Sequence, residues 1–256
     1  MLWSRISLKT HAWQRSVGAW LFFPVAIWAY LSQASLLWLV PSFFIYITIA
    51  LTVTVGYHRL FTHNAFQCSR FWHWFFGLIG CVSLNSAPVH WSSVHITHHK
   101  FSDTADDPYD ADWRHFIRFK NRSNVQATKN ELRMMRDRMH IFFINYSLTL
   151  SILTGMVLAL VSINAFLYLY ALPVTTYLVT SGLHTIFAHG NSIPEGSRTS
   201  ARNVWPLEFI IPMAGEWIHK EHHDKPKLYK FNTKPYYFDL GGIMIGIIER
   251  HDKSTA

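Results

Sequence analysis

The chain has 256 residues, half of them hydrophobic and 16% aromatic, with only 15% charged. Soluble domains carry about a quarter charged residues, so the deficit points to lipid, and the length fits one domain over residues 1–256. The balance is basic, net +8, but no basic segment is interleaved with aromatics for base stacking; this argues against nucleic acid and for a membrane surface.

From the N-terminus, Met1 to Arg15 starts basic without a compact apolar core before a small-residue cleavage site, so no cleaved leader is expected. Between Arg15 and Arg59 there is no Asp, Glu, Lys or Arg. That window predicts two membrane spans, about 17–34 and 37–57, since a span needs about 20 residues. The next apolar stretch, about 71–89, is interrupted by Gly77, Gly80, Asn85, Ser86 and Pro88. It reads as a re-entrant or interfacial helix packed against protein. Lys100 to His140 is polar, and in it Lys129, Arg133, Arg136 and Arg138 recur at near-helical spacing.

A second window free of those four residue types, Ile141 to Gly190, predicts spans at about 141–162 and 165–187. Lysines and arginines fall outside both hairpins, so both enter from and return to the cytoplasmic side, with cytoplasmic termini. The expected fold is an all-α membrane protein of four transmembrane helices in two hairpins under a cytoplasmic helical cap. Cys68 and Cys81 give no disulfide framework.

Three histidine clusters fall on that cytoplasmic side: His58 with His63, then His95, His98 and His99, then His219, His222 and His223. Imidazole is the commonest neutral metal ligand at physiological pH. Residues three and four apart share a helix face, so each trio can hand two or three nitrogens to one metal or to a neighbouring pair. His58 and His63, about 140° apart on a regular helix, converge only where the helix ends or bulges. His189, closing the last span, is a ninth candidate, and His184 inside that span a lesser one. Isolated histidines are ordinarily hydrogen-bonded core or surface residues, which is the expectation for His11, His73, His115, His140 and His251.

Eight or nine imidazoles suit two ions of higher coordination, whereas zinc closes at four ligands. No cysteine or methionine lies near the clusters to favour copper(I), and no Glu-x-x-His pairs of the carboxylate di-iron plan appear in the spans. Histidine-ligated iron fits best, with copper and zinc left open by affinity order alone. Asp103, Asp107, Glu216, Glu221 and Asp224 are candidate carboxylate partners behind the ligands.

The pattern resembles the integral-membrane fatty acid desaturases, and among them the acyl-CoA Δ9 (stearoyl-CoA type) branch, over about residues 15 to 240. His58-Arg-Leu-Phe-Thr-His63 is similar to that family's HRLxxH box. His95-Ile-Thr-His-His-Lys-Phe-Ser-Asp103 with Asp107-Pro108 resembles its HxxHHxxS(E/D) box and trailing DP. Gly215-Glu216 leading into His219-Lys-Glu-His-His223 resembles GExxHxxHH, and Ala188-His189 the end of NSxAH. The resemblance implies two iron ions under a cytoplasmic cap, a narrow tunnel for an extended acyl chain, and ligands His58, His63, His95, His98, His99, His189, His219, His222 and His223. Two places depart from the family: its NSxAH asparagine falls at Thr185, with Thr185 or His184 as substitutes, and Asp224-Lys-Pro226 replaces a small-aromatic-proline sequence.

Oxygen-dependent desaturation of a CoA- or lipid-linked fatty acyl chain, of the Δ9 type, is the expected activity, in the plasma membrane of a bacterium or the endoplasmic reticulum of a eukaryote. No HPGG-type haem motif is present, so electrons are expected from a separate ferredoxin or cytochrome b5 type donor. Lys129, Arg133 and Arg136 are candidates to grip a phosphate-bearing headgroup such as coenzyme A, or anionic lipid. An acyl or alkane hydroxylase would share the di-iron centre and differ by yielding an alcohol. A haem-binding electron-transfer protein would need inward-facing histidine pairs within the bundle, and a metal transporter would need ligands near the bilayer middle.

Overall fold

The computed structural model describes residues 18–32, 35–109, 128–190 and 192–253. In chain order the helices are α1 (Phe22–Leu31), α2 (Leu36–Thr62), α3 (Arg70–Val82), α4 (Pro88–Phe101), α5 (Lys129–Met134), α6 (Arg138–Val161), α7 (Ile163–Ala188), α8 (His219–Asp224) and α9 (Leu240–Lys253). Among the described residues no strand forms, and sheet-like pairing is limited to two isolated bridges, His189 with Ala201 and Asn203 with Ile218.

At 27, 24 and 26 residues, α2, α6 and α7 are long and apolar enough to cross a bilayer. Their outward faces are those of lipid-facing helices: α6 exposes Ile152, Leu153, Met156, Val157, Leu160 and Val161. The expected boundaries shift in instructive ways. The helix expected over 37–57 continues to Thr62, because its last eleven residues are π-helical and buried in protein instead of stopping at the lipid surface. The spans expected at 141–162 and 165–187 fall at Arg138–Val161 and Ile163–Ala188. Of the first expected span, 17–34, residues 17, 33 and 34 lie outside the described residues. Its described helical stretch, Gly18–Leu31, is shorter than a crossing needs.

The stretch 71–89, expected as one helix, is a helix, a turn and the start of a second helix. Helix α3 ends at Val82, and Leu84 and Ser86 take left-handed φ of 60° and 64°. Pro88 then opens α4 in its first turn, where a missing N–H leaves no bond unmade. The Tyr57 hydroxyl donates to the Ser86 carbonyl (2.8 Å) and pins this turn against α2.

Glycines set how closely these helices cross. A Cβ on Gly56 would stand 2.3 Å from Phe76, one on Gly80 2.4 Å from Tyr57, and one on Gly77 2.1 Å from Phe143. Small residues at such crossings let backbones approach where lipid supplies no hydrophobic drive between helices. Helix α3 thus runs away along α2, α4 returns, and the chain after α7 folds over the same end. Asp137 fixes the start of α6 by accepting from the Met139 N–H (2.9 Å), and its carboxylate also binds Arg70 at the start of α3 (2.6 Å).

Candidate metal centre

Two short helices and two helix ends deliver the histidines. The π-helical end of α2 answers the five-residue spacing of His58 and His63. The His63 N–H donates to the His58 carbonyl (3.1 Å), an i→i+5 bond that brings residues five apart nearly into line. Their rings lie 5.0 Å apart between centroids.

The two HxxHH trios are shared crosswise. Ligand atoms of His58, His63, His95, His99 and His222 all lie within 4.8 Å of one another, and so do those of His98, His189, His219 and His223. At about 100° per residue, positions i and i+4 lie close together and i+3 falls to one side. Helix α4 therefore gives His95 and His99 to the five-histidine cage and His98 to the four-histidine cage. Helix α8 does the reverse, with His219 and His223 in the second and His222 in the first.

The imidazoles approach by Nε2. His58 and His222 stand 2.9 Å apart, His99 and His222 2.7 Å, His189 and His219 2.9 Å, and His98 and His223 3.3 Å. Carboxylates behind them take the outer protons. His58 Nδ1–H donates to Glu216 (2.9 Å), His98 Nδ1–H to Asp107 (2.9 Å) and His189 Nδ1–H to Asp103 (2.8 Å). That fixes the tautomer and leaves bare Nε2 lone pairs facing inward. His63 Nε2 is buried with no hydrogen-bond partner among the described residues.

Charging the rings does not relieve this crowding. Burial first, and repulsion from neighbouring imidazoles second, hold His95, His219, His222 and His223 well below the ordinary histidine range. Neutral rings with convergent lone pairs suit a bound cation. The donor set, all imidazole with carboxylates one bond further out, fits iron as well as other first-row ions.

Each carboxylate is itself built in. Burial raises the Asp103 pKa, but the His189 ring and the hydroxyls of Ser200 and Thr199 outweigh it and hold the group well below its usual value. Those hydroxyls lie at 2.7 Å, as does the Ser200 N–H. Burial likewise raises Glu216, and His58 and Arg59 bring it below the usual range. Glycine is required just before it: Gly215 has φ +100°, and a Cβ there would strike the Asp239 carboxylate at 2.3 Å.

Arg59, fully buried between the box histidines, was not singled out by the sequence reading. Its guanidinium makes a two-pronged pair with Asp239 (2.9 and 3.0 Å) and donates to the Tyr229 carbonyl (2.7 Å). It also stacks 3.7 Å over the Phe231 ring and comes 3.8 Å from Glu216. The one signal available was a lone arginine at the end of an uncharged stretch, a position that demands a partner.

Other expected site residues fall differently. Among the described residues Asp224 reaches no histidine; it is exposed and pairs with Lys220 one helical turn back (2.7 Å). Thr185 and His184 line a cavity of about 70 Å³ beside both cages. His184 Nε2–H donates to the Glu216 carbonyl (2.9 Å), and its ring lies 4.7 Å from that of His219. Lys129, Arg133 and Arg136 are all exposed, and the Arg133 guanidinium also donates to the Phe61 carbonyl (2.9 Å) and Asn64 (3.1 Å). His140 packs edge-on to Phe61, and His73 meets the same ring, away from the cages. His11 and His115 lie outside the described residues.

No protein-family model matches the chain. Among curated proteins it is 27% identical over 208 residues to the sn-1 stearoyl-lipid 9-desaturase of Anabaena variabilis, covering 77% of this chain and 72% of that one. It is 25% identical over 227 residues to acyl-CoA desaturase 1 of Saccharomyces cerevisiae, covering 80% and 42%. It is 25% identical over 195 residues to the sn-1 stearoyl-lipid 9-desaturase of Synechocystis sp., covering 71% and 59%. The chain thus spans under half the length of the yeast relative and about three fifths of the Synechocystis one. Likeness to several 9-desaturases along most of its length, with nine histidines gathered in two cages, supports a place for this chain in the fatty acid desaturase family.

Proposed function

We propose that the protein is an oxygen-dependent fatty acyl desaturase of the 9-position type, acting on a CoA- or lipid-linked chain. The observation that carries this is the pair of histidine cages beside one small cavity, in a chain similar to named 9-desaturases. His58, His63, His95, His99 and His222 would hold one iron ion and His98, His189, His219 and His223 a second. Bound there, iron would supply the oxygen activation that removes two hydrogens from adjacent methylenes.

The rest is the protein's own work. Glu216, Asp107 and Asp103 hold the Nδ1 protons of His58, His98 and His189, so each ring presents a lone pair at a fixed angle. The cavity lies between that wall and Val53, Tyr177 and Met213, apolar surfaces that keep a methylene pair near the cages and water out. At about 70 Å³ it has room for a short stretch of chain.

The proposed topology is four spans, α1 included, with the termini and the cages on the cytoplasmic side. Oxygen and a separate electron donor of the ferredoxin or cytochrome b5 type complete the reaction. Lys129, Arg133 and Arg136 remain candidates for a phosphate-bearing headgroup.

Lipid profiling of a desaturase-deficient host expressing this chain tests the reading. Double bonds at the 9-position are expected from the parent and none from the His98→Ala and His222→Ala variants. An unchanged profile from an expressed, iron-loaded parent with a competent reductant sinks it, and an alcohol product converts it to a hydroxylase.

A further inference from the structure

His63 borders both a cage and the protein surface. Its ring packs 4.8 Å from those of both His99 and His222, inside the five-histidine cage, yet it also walls an open surface cleft of about 670 Å³. Lys225 and Lys227 line that cleft together with Pro226, Leu228 and Ile96. Both lysines are exposed. The segment that carries them is anchored, because the buried Arg59 holds the Tyr229 carbonyl (2.7 Å) and stacks on Phe231.

The carboxylates behind the ligands make the cages electrically unequal: Asp103 and Asp107 back the four-histidine cage, and Glu216 backs the five-histidine cage. Glu216, which holds His58, also has the Arg59 guanidinium at 3.8 Å, a charge that Asp239 balances through two shorter contacts. Asp103 and Asp107, which hold His189 and His98, otherwise accept from neutral hydroxyls and backbone N–H groups among the described residues. Fewer anionic partners behind the ligands leave them less electron-rich, which favours the reduced ion. The five-histidine cage borders this open cleft through His63, and an ion held there would be the better electron acceptor.

From these two observations, and resting on the function proposed above, we infer that electrons enter at the five-histidine cage from an acidic one-electron carrier protein docked in the Lys225–Lys227 cleft. Each transfer would oxidise the carrier by one electron and reduce one bound ferric ion to ferrous, with no atom exchanged. Opposite charge across the contact speeds the encounter and makes it salt-sensitive.

The test uses the iron-loaded protein in nanodiscs without oxygen, with a negatively charged [2Fe–2S] ferredoxin as probe and rapid-mixing absorbance as readout. Lys225→Glu with Lys227→Glu is expected to slow reduction by ferredoxin about tenfold or more and to flatten its salt dependence. Iron content and reduction by dithionite should stay as in the parent. Arg198→Glu, exposed on the segment that covers the four-histidine side, should leave ferredoxin reduction unchanged. His222→Ala should abolish fast reduction of the iron that remains, and His98→Ala should retain it. An unchanged rate in the double lysine variant overturns the inference, as does slowing by Arg198→Glu. So does a double variant that loses only affinity for an acyl-CoA, which would make the cleft a headgroup site. A parent that takes up no redox-active iron overturns the proposed function and this inference together.

Discussion

His58 and Glu216, 158 positions apart in sequence, meet across 2.9 Å, where the imidazole Nδ1–H donates to a carboxylate oxygen. The contact ties the first histidine box to the third and does so beneath the cage, where both residues are buried. Replacing Glu216 by Gln keeps its size and an acceptor oxygen but removes the charge that favours this tautomer. Loss of such an outer partner typically costs about 10–100-fold in metal affinity. Glu216→Gln should therefore retain less iron than the parent after dialysis against a graded chelator, with little change in helix content by circular dichroism. Equal retention would reduce the contact to packing.

The glycine crossings make a second, purely structural prediction. In Gly77→Ala the new methyl meets the Phe143 ring at 2.1 Å, whereas in Gly246→Ala, on α9, nothing lies within 4 Å. Overpacking costs about 1–3 kcal/mol, against which alanine's helix preference returns up to about 1 kcal/mol. Gly77→Ala should thus lower the midpoint of thermal unfolding in detergent, and Gly246→Ala should raise it slightly or leave it. A neutral Gly77→Ala would mean that α3 and α6 can separate at little cost.

What the sequence could reveal depended on how local each signal is. The histidine trios are three- and four-residue patterns, and the long uncharged windows are composition alone, so both were visible from the chain. Crosswise sharing was not: whether His98 joins His95 or departs from it depends on where α8 sits, 125 residues away from His98 at its His223 contact. The end of α2 was placed five residues early because Tyr57, His58 and Arg59 look like residues leaving lipid. They stay helical because protein, not lipid, surrounds them. Arg59 and Asp239 are 180 positions apart, and only the fold makes them a pair. Asp224 was nominated by closeness in sequence to the third box, yet on α8 its side chain turns to Lys220 and solvent.

Acid sensitivity should appear at the Arg70–Asp137 pair. The Arg70 guanidinium, aided by the Met139 N–H, pulls the Asp137 carboxyl from near 3.8 down to about 2. A folded value below the unfolded one means the pair contributes in full above about pH 4 and loses its contribution as pH falls through about 2. With Arg70 about half exposed (52%), solvent screening limits the gain to under about 1 kcal/mol. Asp137→Asn keeps an oxygen for the helix N-cap and removes only the charge. Thermal scans should show the parent more stable by a few degrees at pH 7, with the gap closing between pH 4 and 2. A gap that persists at pH 2 would assign the effect to the cap.

The crosswise arrangement itself can be tested by metal content. His98 and His222 both occupy the i+3 place of an HxxHH trio, so a reading by sequence alone gives them equivalent roles. In the fold they face different cages, His98 beside His189 and His223, His222 beside His58 and His99. If each cage holds one ion, His98→Ala and His222→Ala should each fall from about two irons per chain toward one, and the double variant toward none. The spectra of the two single variants should differ, because the ion left behind has four histidines in one case and five in the other. A single variant that lost both ions at once would mean that the cages load as one unit. That outcome would argue that the Nε2 atoms now facing each other within each cage are drawn together by neighbours in the other.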